Sequence, residues 1–152
     1  MRVVVAGTFG PVHDGHRALF EAALERGDEG VVVGLTSDEL ARSSRDRPVP
    51  PFEQRRERVA TEVDRLDEHG RDIEIRRIED EYGFADDDPT LDAIVVSPET
   101  DDRVAEINRR RTDRGFEPLE QVVVPHVLAD DGERISSTRV VRGEIDEHGN
   151  AL

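Results

Sequence analysis

The stretch VVVAGTFGPVHDGH, residues 3–16, contains the strongest structural signal in this chain. Its small and apolar residues, typical of a buried strand, end at Gly7 and lead through a glycine-rich turn toward His16. A strand, turn and helix start of this kind present free backbone N–H groups and a helix dipole to an anion. The stretch therefore predicts a phosphate site at the end of the first strand.

A second motif, ISSTR at residues 135–139, lies about 120 residues further along the chain. Its hydroxyl groups predict a helix start that follows another strand, with an arginine beside them. One hydroxyl is enough to cap a helix, and three in sequence indicate a bound anion as well. The two motifs together are typical of a nucleotide-phosphate site.

Between the motifs, apolar runs alternate with amphipathic segments, which is the pattern of a parallel sheet whose crossovers are helices. The predicted strands are 2–6, 30–36, 73–78, 91–97 and 121–125, and the predicted helices are 16–25, 38–42, 52–67, 99–114 and one from residue 136. We therefore expect an α/β, Rossmann-like fold, a doubly wound five-stranded parallel sheet with helices on both faces. Both motifs then follow carboxyl ends of strands, where such sheets bind ligands.

The length of 152 residues predicts a single domain, 1–152, with a tail at 147–152 that we expect to be frayed. No apolar run reaches 18 residues, so we expect no membrane span. The N-terminus has no signal-peptide pattern, which favours a cytoplasmic protein. The chain has no cysteine, and this excludes disulfides and thiolate metal sites.

The formal net charge is −15, and all 21 basic residues are arginines. A surface of this sign repels nucleic acid, so we expect no nucleic-acid partner. The charge suits an ordinary acidic enzyme. Together with the absence of lysine, it favours a halophilic protein adapted to molar salt, where charge repulsion is screened over roughly 3 Å.

The two motifs resemble the signatures of the HxGH nucleotidyltransferases: HDGH at residues 13–16 matches the first, and ISST at 135–138 matches the second. Within that superfamily the chain is similar, over nearly its whole length, to the archaeal phosphopantetheine adenylyltransferases, which are relatives of the adenylyltransferase domain of eukaryotic coenzyme A synthase. IVVSPET at 94–100 and GEID at 143–146 also carry the resemblance. One departure is Gly10, where the family usually has aspartate.

The resemblance implies transfer of AMP from ATP to 4′-phosphopantetheine, with release of pyrophosphate. This chemistry needs no protein nucleophile, because the attacking phosphate oxygen is already anionic; it needs cations, N–H groups and the Mg²⁺ that arrives with ATP. The resemblance gives His16 and His13 catalytic contacts with the transferring phosphate, and we expect no resident metal site. The nucleotide-binding residues that it implies are Thr8, Phe9, His13, His16, Ile135, Ser136, Ser137, Thr138 and Arg139.

The acceptor phosphate is expected at Thr8 and Arg47. Bacterial relatives have a lysine before proline at this point, and here Arg47 precedes Pro48, with Arg42 and Arg45 as alternatives. Arginine can bind a phosphate through two N–H groups at once. Roles stay open for a further set of residues: Asn108, Arg111, His126 and Arg142.

Other functions remain open at this point. The same fold could transfer a nucleotidyl group to FMN, nicotinamide mononucleotide or glycerol 3-phosphate. A catalytically silent nucleotide-binding regulator, with Gly10 as the altered position, is a third interpretation, which the intact histidines and hydroxyls disfavour. Bacterial relatives form hexamers, so a homo-oligomer also stays open. The acidic runs 86–88, 101–102 and 130–131 are expected to be solvated surface.

Overall fold

The structure is a computed structural model that describes residues 1–43, 47–80 and 83–152, with the side chains of residues 100 and 101 outside the description. Its strands are β1 (Arg2–Gly7), β2 (Gly30–Thr36), β3 (Ile73–Ile78), β4 (Ala93–Val96) and β5 (Glu120–Val123). Its helices are α1 (Asp14–Arg26), α2 (Asp38–Ser43), α3 (Phe52–Leu66), α4 (Asp101–Asp113) and α5 (Ser137–Val141). All strands are parallel, in the order β3-β2-β1-β4-β5.

The sheet is covered on both faces, because successive residues of a strand point to opposite sides. Val3 and Val5 of β1 pack in one core with residues of α1 and α3, namely Phe20, Leu24, Val59 and Val63. Val4 packs in a second core with α4 and the segment before β4, namely Val104, Ile107, Phe84 and Leu91. This arrangement confirms the predicted doubly wound sheet. None of the described helices is both long enough and apolar enough to cross a membrane.

The strand order reverses between β1 and β4. The chain adds β2 and β3 on one side of β1 and then returns to add β4 and β5 on the other. Val5 pairs with Val95, so the segments that follow Gly7 and Val96 leave the sheet side by side. A crevice between the carboxyl ends of such strands is where α/β sheets bind ligands.

Two polar residues of α4 hold the connections around β4 and β5. The Arg111 side chain is 1% exposed, and its guanidinium donates to the backbone carbonyls of Ala85, Asp88, Leu91 and Glu117. Asn108 exchanges hydrogen bonds with the backbone of Leu119. Both residues, whose roles the sequence left open, therefore organise the fold.

Several predicted boundaries shift in the structure. α1 begins at Asp14 rather than at residue 16, because His13 serves as its cap. β4 covers 93–96 rather than 91–97, and a 3₁₀ turn at Pro98–Thr100 precedes α4. β5 is Glu120–Val123 rather than 121–125. The strand and helix types along the chain are otherwise those predicted.

Two residues of the acidic run 86–88 differ from the solvated surface that the sequence suggested, while Asp87 is exposed. Asp86 is 6% exposed and pairs with Arg110 and Arg114. Asp88 accepts a hydrogen bond from Arg76 at 2.8 Å. The run is ordered because arginines from β3 and α4 reach it, which no local pattern indicates.

The tail at 147–152, for which we expected fraying, makes defined backbone contacts in the structure. The backbone N–H of Asp130 donates to the carbonyl of Gly149 at 2.9 Å, and Ile145 pairs with Ala151 in a short antiparallel bridge. Gly149 has φ +85°, and a Cβ there would lie 2.9 Å from the Cα of Ala129. The tail packs because glycine permits this close approach.

Candidate active site

The first motif forms a helix cap built from two histidines. His13 is the N-cap of α1, and its Nδ1 accepts a hydrogen bond from the backbone N–H of Gly15 at 3.0 Å. In return, Nδ1 of His16 accepts from the backbone N–H of His13 at 3.2 Å. This is a capping box in which imidazoles replace the usual hydroxyl and carboxyl groups. The two rings stack with their centroids 3.7 Å apart.

This cap determines the tautomer of both imidazoles. A ring nitrogen that accepts a hydrogen bond carries no proton, so a neutral His13 or His16 carries its hydrogen on Nε2. Burial, followed by the charge of Arg17, lowers the pKa of His13 from 6.5 to about 4. At neutral pH His13 is therefore an uncharged Nε2–H donor.

Phe9 packs with its ring against the histidine pair. Its backbone has φ +50°, in the left-handed region, and its ring is buried. The ring meets His16 edge-on with centroids 4.9 Å apart and packs on Phe20 at the same distance. A non-glycine residue held in this backbone region is typical of a functional turn.

The second motif caps α5 and contacts the first. Ser136 is the N-cap, and its Oγ accepts from the backbone N–H of Arg139 at 3.2 Å. The Ser137 hydroxyl donates to the carbonyl of Pro11 at 2.8 Å. Ser136 thus caps α5, and Ser137 joins the second motif to the first. The two motifs form a single site although 126 residues separate Ser137 from Pro11.

Arg47 connects the same two motifs. Its Nη1 donates to the carbonyl of Gly10 at 3.0 Å, and its Nε lies 3.4 Å from the Thr138 hydroxyl. Partial burial lowers the pKa of its guanidinium, but an arginine side chain stays charged at neutral pH. The structure thus places this cation between the first-motif turn and the second motif.

These residues line one cleft of about 350 Å³ at the carboxyl ends of β1, β4 and β5. Of the residues that the sequence predicted for nucleotide or acceptor, the cleft contains Thr8, Phe9, His13, His16, Arg47, Ile135, Ser136, Ser137 and Thr138. All of the predicted site residues except Arg139 therefore line this cleft.

Three charged or titratable residues of the cleft were not among the predicted site residues. Glu99 accepts from Nε2 of His126 at 2.9 Å and from Nη1 of Arg134 at 3.0 Å. Burial opposes ionisation of Glu99, but its hydrogen bonds and these two partners outweigh burial, and the pKa of the carboxyl is lowered. Glu99 follows β4 and His126 follows β5, so the rule that ligands bind at strand ends was the signal for both.

Arg139 is the predicted site residue that the structure places elsewhere. Its guanidinium pairs with Asp131 and with Glu144, and it is not part of the cleft lining. Arg134 contributes the cation on this side instead. Sequence could not separate the two, because the direction of each side chain depends on the acids that face it.

The other arginines considered for the site have different outcomes. Arg42 is exposed at the end of α2, and Arg142 is exposed at the end of α5. Arg45 lies outside the described residues. Arg47 is thus the cleft-lining arginine among the described alternatives for the acceptor phosphate.

The turn after β1 is organised by a buried cation, Arg55 of α3. Its side chain is 1% exposed, and it donates to the carbonyls of Thr8 at 3.1 Å, Thr36 at 2.9 Å and Pro50 at 2.7 Å. A Cβ at Gly10 would lie 2.8 Å from the Arg55 Cδ. The close approach of Arg55 therefore explains why glycine stands at position 10, where the family usually has aspartate.

A larger cavity of about 640 Å³ adjoins the cleft on the α4 side of the sheet. It shares Gly7, Thr8 and Thr138 with the cleft. Much of its remaining wall is apolar, formed by Leu40, Ile78, Phe84, Ile94 and Ile107. A polar cleft thus continues into an apolar chamber at the point where both motifs meet.

The chain belongs to the cytidylyltransferase-like family, whose model matches residues 4–143. It is 48% identical to a phosphopantetheine adenylyltransferase of Methanopyrus kandleri, over 96% of this chain and 91% of that one. It is 44% identical to a phosphopantetheine adenylyltransferase of Methanosarcina acetivorans, over 97% of this chain and 94% of that one. A protein of unknown function from Archaeoglobus fulgidus has the same fold, with a TM-score of 0.73 and 37% identity over 82% of this chain and 89% of that one. These similarities confirm the resemblance on which the sequence analysis relied.

Proposed function

We propose that this chain transfers AMP from ATP to 4′-phosphopantetheine and forms dephospho-coenzyme A and pyrophosphate. The observation that carries the proposal is the union of the two phosphate motifs in one cleft, which continues into an apolar chamber. The names of relatives at 48% and 44% identity support the same reaction. ATP is a cytoplasmic substrate, so the proposal implies a cytoplasmic enzyme.

The reaction balances without a protein nucleophile. A phosphate oxygen of the acceptor attacks the α-phosphorus of ATP, and the bond from that phosphorus to the oxygen bridging the β-phosphate breaks. Because the attacking oxygen is already an anion, the protein has to align two polyanions and stabilise the charge that develops. The cleft residues are suited to those two tasks.

In this proposal the imidazoles contact the α-phosphate. Their Nδ1 atoms are occupied by the helix cap, so each neutral ring has Nε2–H to donate to a phosphoryl oxygen. The neutral His13 ring can donate to the transition state without forming a strong ion pair with the ground-state polyphosphate, which favours turnover. Ser136, Ser137 and Thr138, with Arg134, would hold the departing pyrophosphate.

The acceptor would enter from the apolar chamber. Its phosphate would lie at the junction, near Thr8 and Arg47, and its pantetheine arm would contact the apolar wall. Arg47 already contacts Thr138 of the second motif and Gly10 of the first-motif turn, so it is placed to contact phosphates of both substrates. In-line displacement would then require the attacking oxygen to approach the α-phosphate from the side opposite the departing pyrophosphate.

Mg²⁺ enters the proposal as part of the substrate MgATP. Among residues 1–43, 47–80 and 83–152, no group of three metal-ligating side chains is assembled. The cleft carboxylate, Glu99, is bound to His126 and Arg134. We therefore expect the ion to arrive already bound to ATP.

The test is pyrophosphate release in molar KCl with MgATP, offering 4′-phosphopantetheine, FMN, nicotinamide mononucleotide and glycerol 3-phosphate in turn, with CTP as a second nucleotide. We expect turnover only with ATP and 4′-phosphopantetheine. His16→Ala should lower kcat by about 10²–10³-fold, the usual effect of losing one transition-state donor. His69→Ala, an exposed histidine after α3, is the matched control and should leave kcat unchanged.

The other outcomes separate the alternatives. Turnover with a different acceptor or with CTP would keep the chemistry and overturn the substrate assignment. ATP binding with no pyrophosphate release from any acceptor would favour the nucleotide-binding regulator. An unaltered kcat in His16→Ala would contradict the role of the imidazoles.

A further inference from the structure

A charged cluster lies behind the two histidines, on the side of α1 that faces α3. Its centre is Glu62 of α3, whose side chain is 2% exposed. Glu62 accepts from Nε and Nη2 of Arg17 at 3.1 and 3.2 Å and from Nε of Arg58 at 3.0 Å. Arg17 belongs to the first turn of α1 and is itself only 14% exposed.

The chain terminus completes this cluster. Arg17 pairs with Glu147 at 3.2 Å, and Arg58 approaches the same carboxylate at 3.5 Å. The backbone N–H of Asp14 donates to the carbonyl of Glu147 at 2.9 Å. Asp14 also contacts Nδ1 of His148 at 3.0 Å. The start of α1 is therefore held from α3 and from the C-terminal tail at once.

The held turn is the one that carries the imidazoles. His13 caps it, His16 is its third residue, and Asp14 and Arg17 lie between and after them. Both rings are bound through Nδ1 to the backbone of this turn. Any rotation of the turn therefore moves both Nε2–H groups relative to a bound phosphate.

Stability alone does not account for such a cluster. The cost of removing charges from water often cancels their attraction, so a buried ion pair is weak evidence for stabilisation. Apolar residues of similar volume would cover the same surface between α1 and α3. The ion pairs also fix the orientation of the first turn of α1, because a bidentate arginine–carboxylate contact defines a geometry that apolar contacts do not.

We propose that the ion pairs among Arg17, Glu62 and Glu147 fix the first turn of α1 and thereby position His13 and His16. These three residues are called the clamp below. Through Glu147, the C-terminal tail contributes to the geometry of the active site. The proposal deepens, and rests on, the proposed adenylyltransferase function. None of the three residues contacts the phosphates in this arrangement, so they are positioning residues. Their loss should affect the transition state more than substrate binding, because Ser136–Thr138 and Arg47 still hold the ground state.

The first experiment is a double-mutant cycle between the clamp and His16. Glu62→Gln keeps the shape and removes the charge, and we expect kcat to fall by about 10–100-fold, as small misplacements of catalytic groups do. KM for ATP and for 4′-phosphopantetheine should change less than about twofold. In a His16→Ala background, followed with radiolabelled ATP so that slow turnover is measurable, the same substitution should lower kcat by a smaller factor, because only His13 is then left to be misplaced.

Matched variants keep the cycle decisive. Glu106→Gln changes a glutamate that also binds two arginines, on α4 and away from the cleft, and should leave kcat unchanged. Glu147→Gln, at a half-exposed position, provides the same cycle if Glu62→Gln does not fold. An unchanged kcat in folded Glu62→Gln and Glu147→Gln, or an equal loss with and without His16, would overturn the clamp.

A second readout separates the clamp from the proposed reaction. The ¹H–¹⁵N spectrum of the imidazoles reports the tautomer, and wild-type His13 should show Nε2–H alone. Glu62→Gln should show a mixture of tautomers, whether or not the chain turns over 4′-phosphopantetheine. An inactive wild type with this spectral change would reject the proposed function and keep the clamp. An active wild type whose variant changes neither kcat nor spectrum would reject the clamp and keep the function.

Discussion

At the residue scale, the histidines of the first motif have two connected tasks. Nδ1 of each accepts a hydrogen bond from a backbone N–H at the start of α1. The donor that each neutral ring can offer to a ligand is therefore Nε2–H. An aspartate would cap the helix as well, but an ionised carboxylate has no hydrogen to donate to a ligand. The glycine between them is needed because a Cβ on Gly15 would lie 2.8 Å from the His13 ring. The motif is thus a structural cap and a candidate catalytic pair for the same reason.

The depressed pKa of His13 predicts an acid-dependent loss of stability. The unfolded chain binds a proton at this residue near pH 6.5, whereas the folded chain binds it only near pH 4. Unfolding therefore takes up a proton between these values, and the free energy of unfolding falls as the pH drops from 6.5 to 4. The full effect is about 3 kcal/mol.

Urea denaturation in molar KCl at a series of pH values between these limits measures this loss. His13→Asn retains a good N-cap and cannot titrate, so its unfolding free energy should decline less steeply than that of the wild type. Parallel declines in the two proteins would show that protonation of His13 does not control acid stability.

At the element scale, α4 acts as a bracket for the segments on both sides of β4. Its Arg111 binds carbonyls before β4 and before β5. The segment that it holds includes Phe84 and Ala85, which belong to the wall of the apolar chamber. A residue far from the phosphate motifs thus shapes the chamber proposed for the acceptor.

Replacing Arg111 should destabilise the connections that α4 holds on both sides of β4. Arg111→Met leaves several buried carbonyls without donors, and we expect the free energy of unfolding to fall by about 4 kcal/mol. Arg110→Met makes the same chemical change one residue earlier, at a site 37% exposed, and should cost less than about 1 kcal/mol. Equal losses, measured by urea denaturation at one salt concentration, would mean that the carbonyl contacts of Arg111 contribute little.

At the scale of the whole molecule, the charge of −15 opposes folding through self-repulsion. The described arginines are extensively paired with acids, and two of those acids, Glu62 and Asp86, are buried. Screening acts mainly on exposed charges and much less on buried pairs. Salt should therefore relieve surface repulsion while leaving the clamp behind α1 intact.

We expect Tm to rise by roughly 5 °C between about 0.1 M and about 3 M KCl. A triple variant, Glu57→Gln, Asp64→Asn and Glu68→Gln, removes three exposed acids of α3 and its C-terminal flank. Its Tm should rise less over the same range of salt. A flat or falling Tm in the wild type, followed by circular dichroism, would contradict the salt-adapted interpretation of the composition.

Features of this protein that depend on local pattern could be predicted from the sequence. Apolar runs of strand length and amphipathic segments between them specify the parallel sheet, and the glycine, histidine and hydroxyl positions specify two helix starts that suit phosphate. The carboxyl-end rule then brings the two motifs together, as the hydrogen bond from Ser137 to Pro11 shows.

Features that depend on partners far along the chain could not be predicted from local pattern and are seen only in the folded structure. Arg139 turns to Asp131 and Glu144 while Arg134 enters the cleft, and the tail packs against α1 through Glu147. The physical reason is that charged side chains are long and flexible, so their direction is set by whichever opposite charges the fold brings near them. An arginine-rich, acidic chain leaves that choice open until its elements have packed.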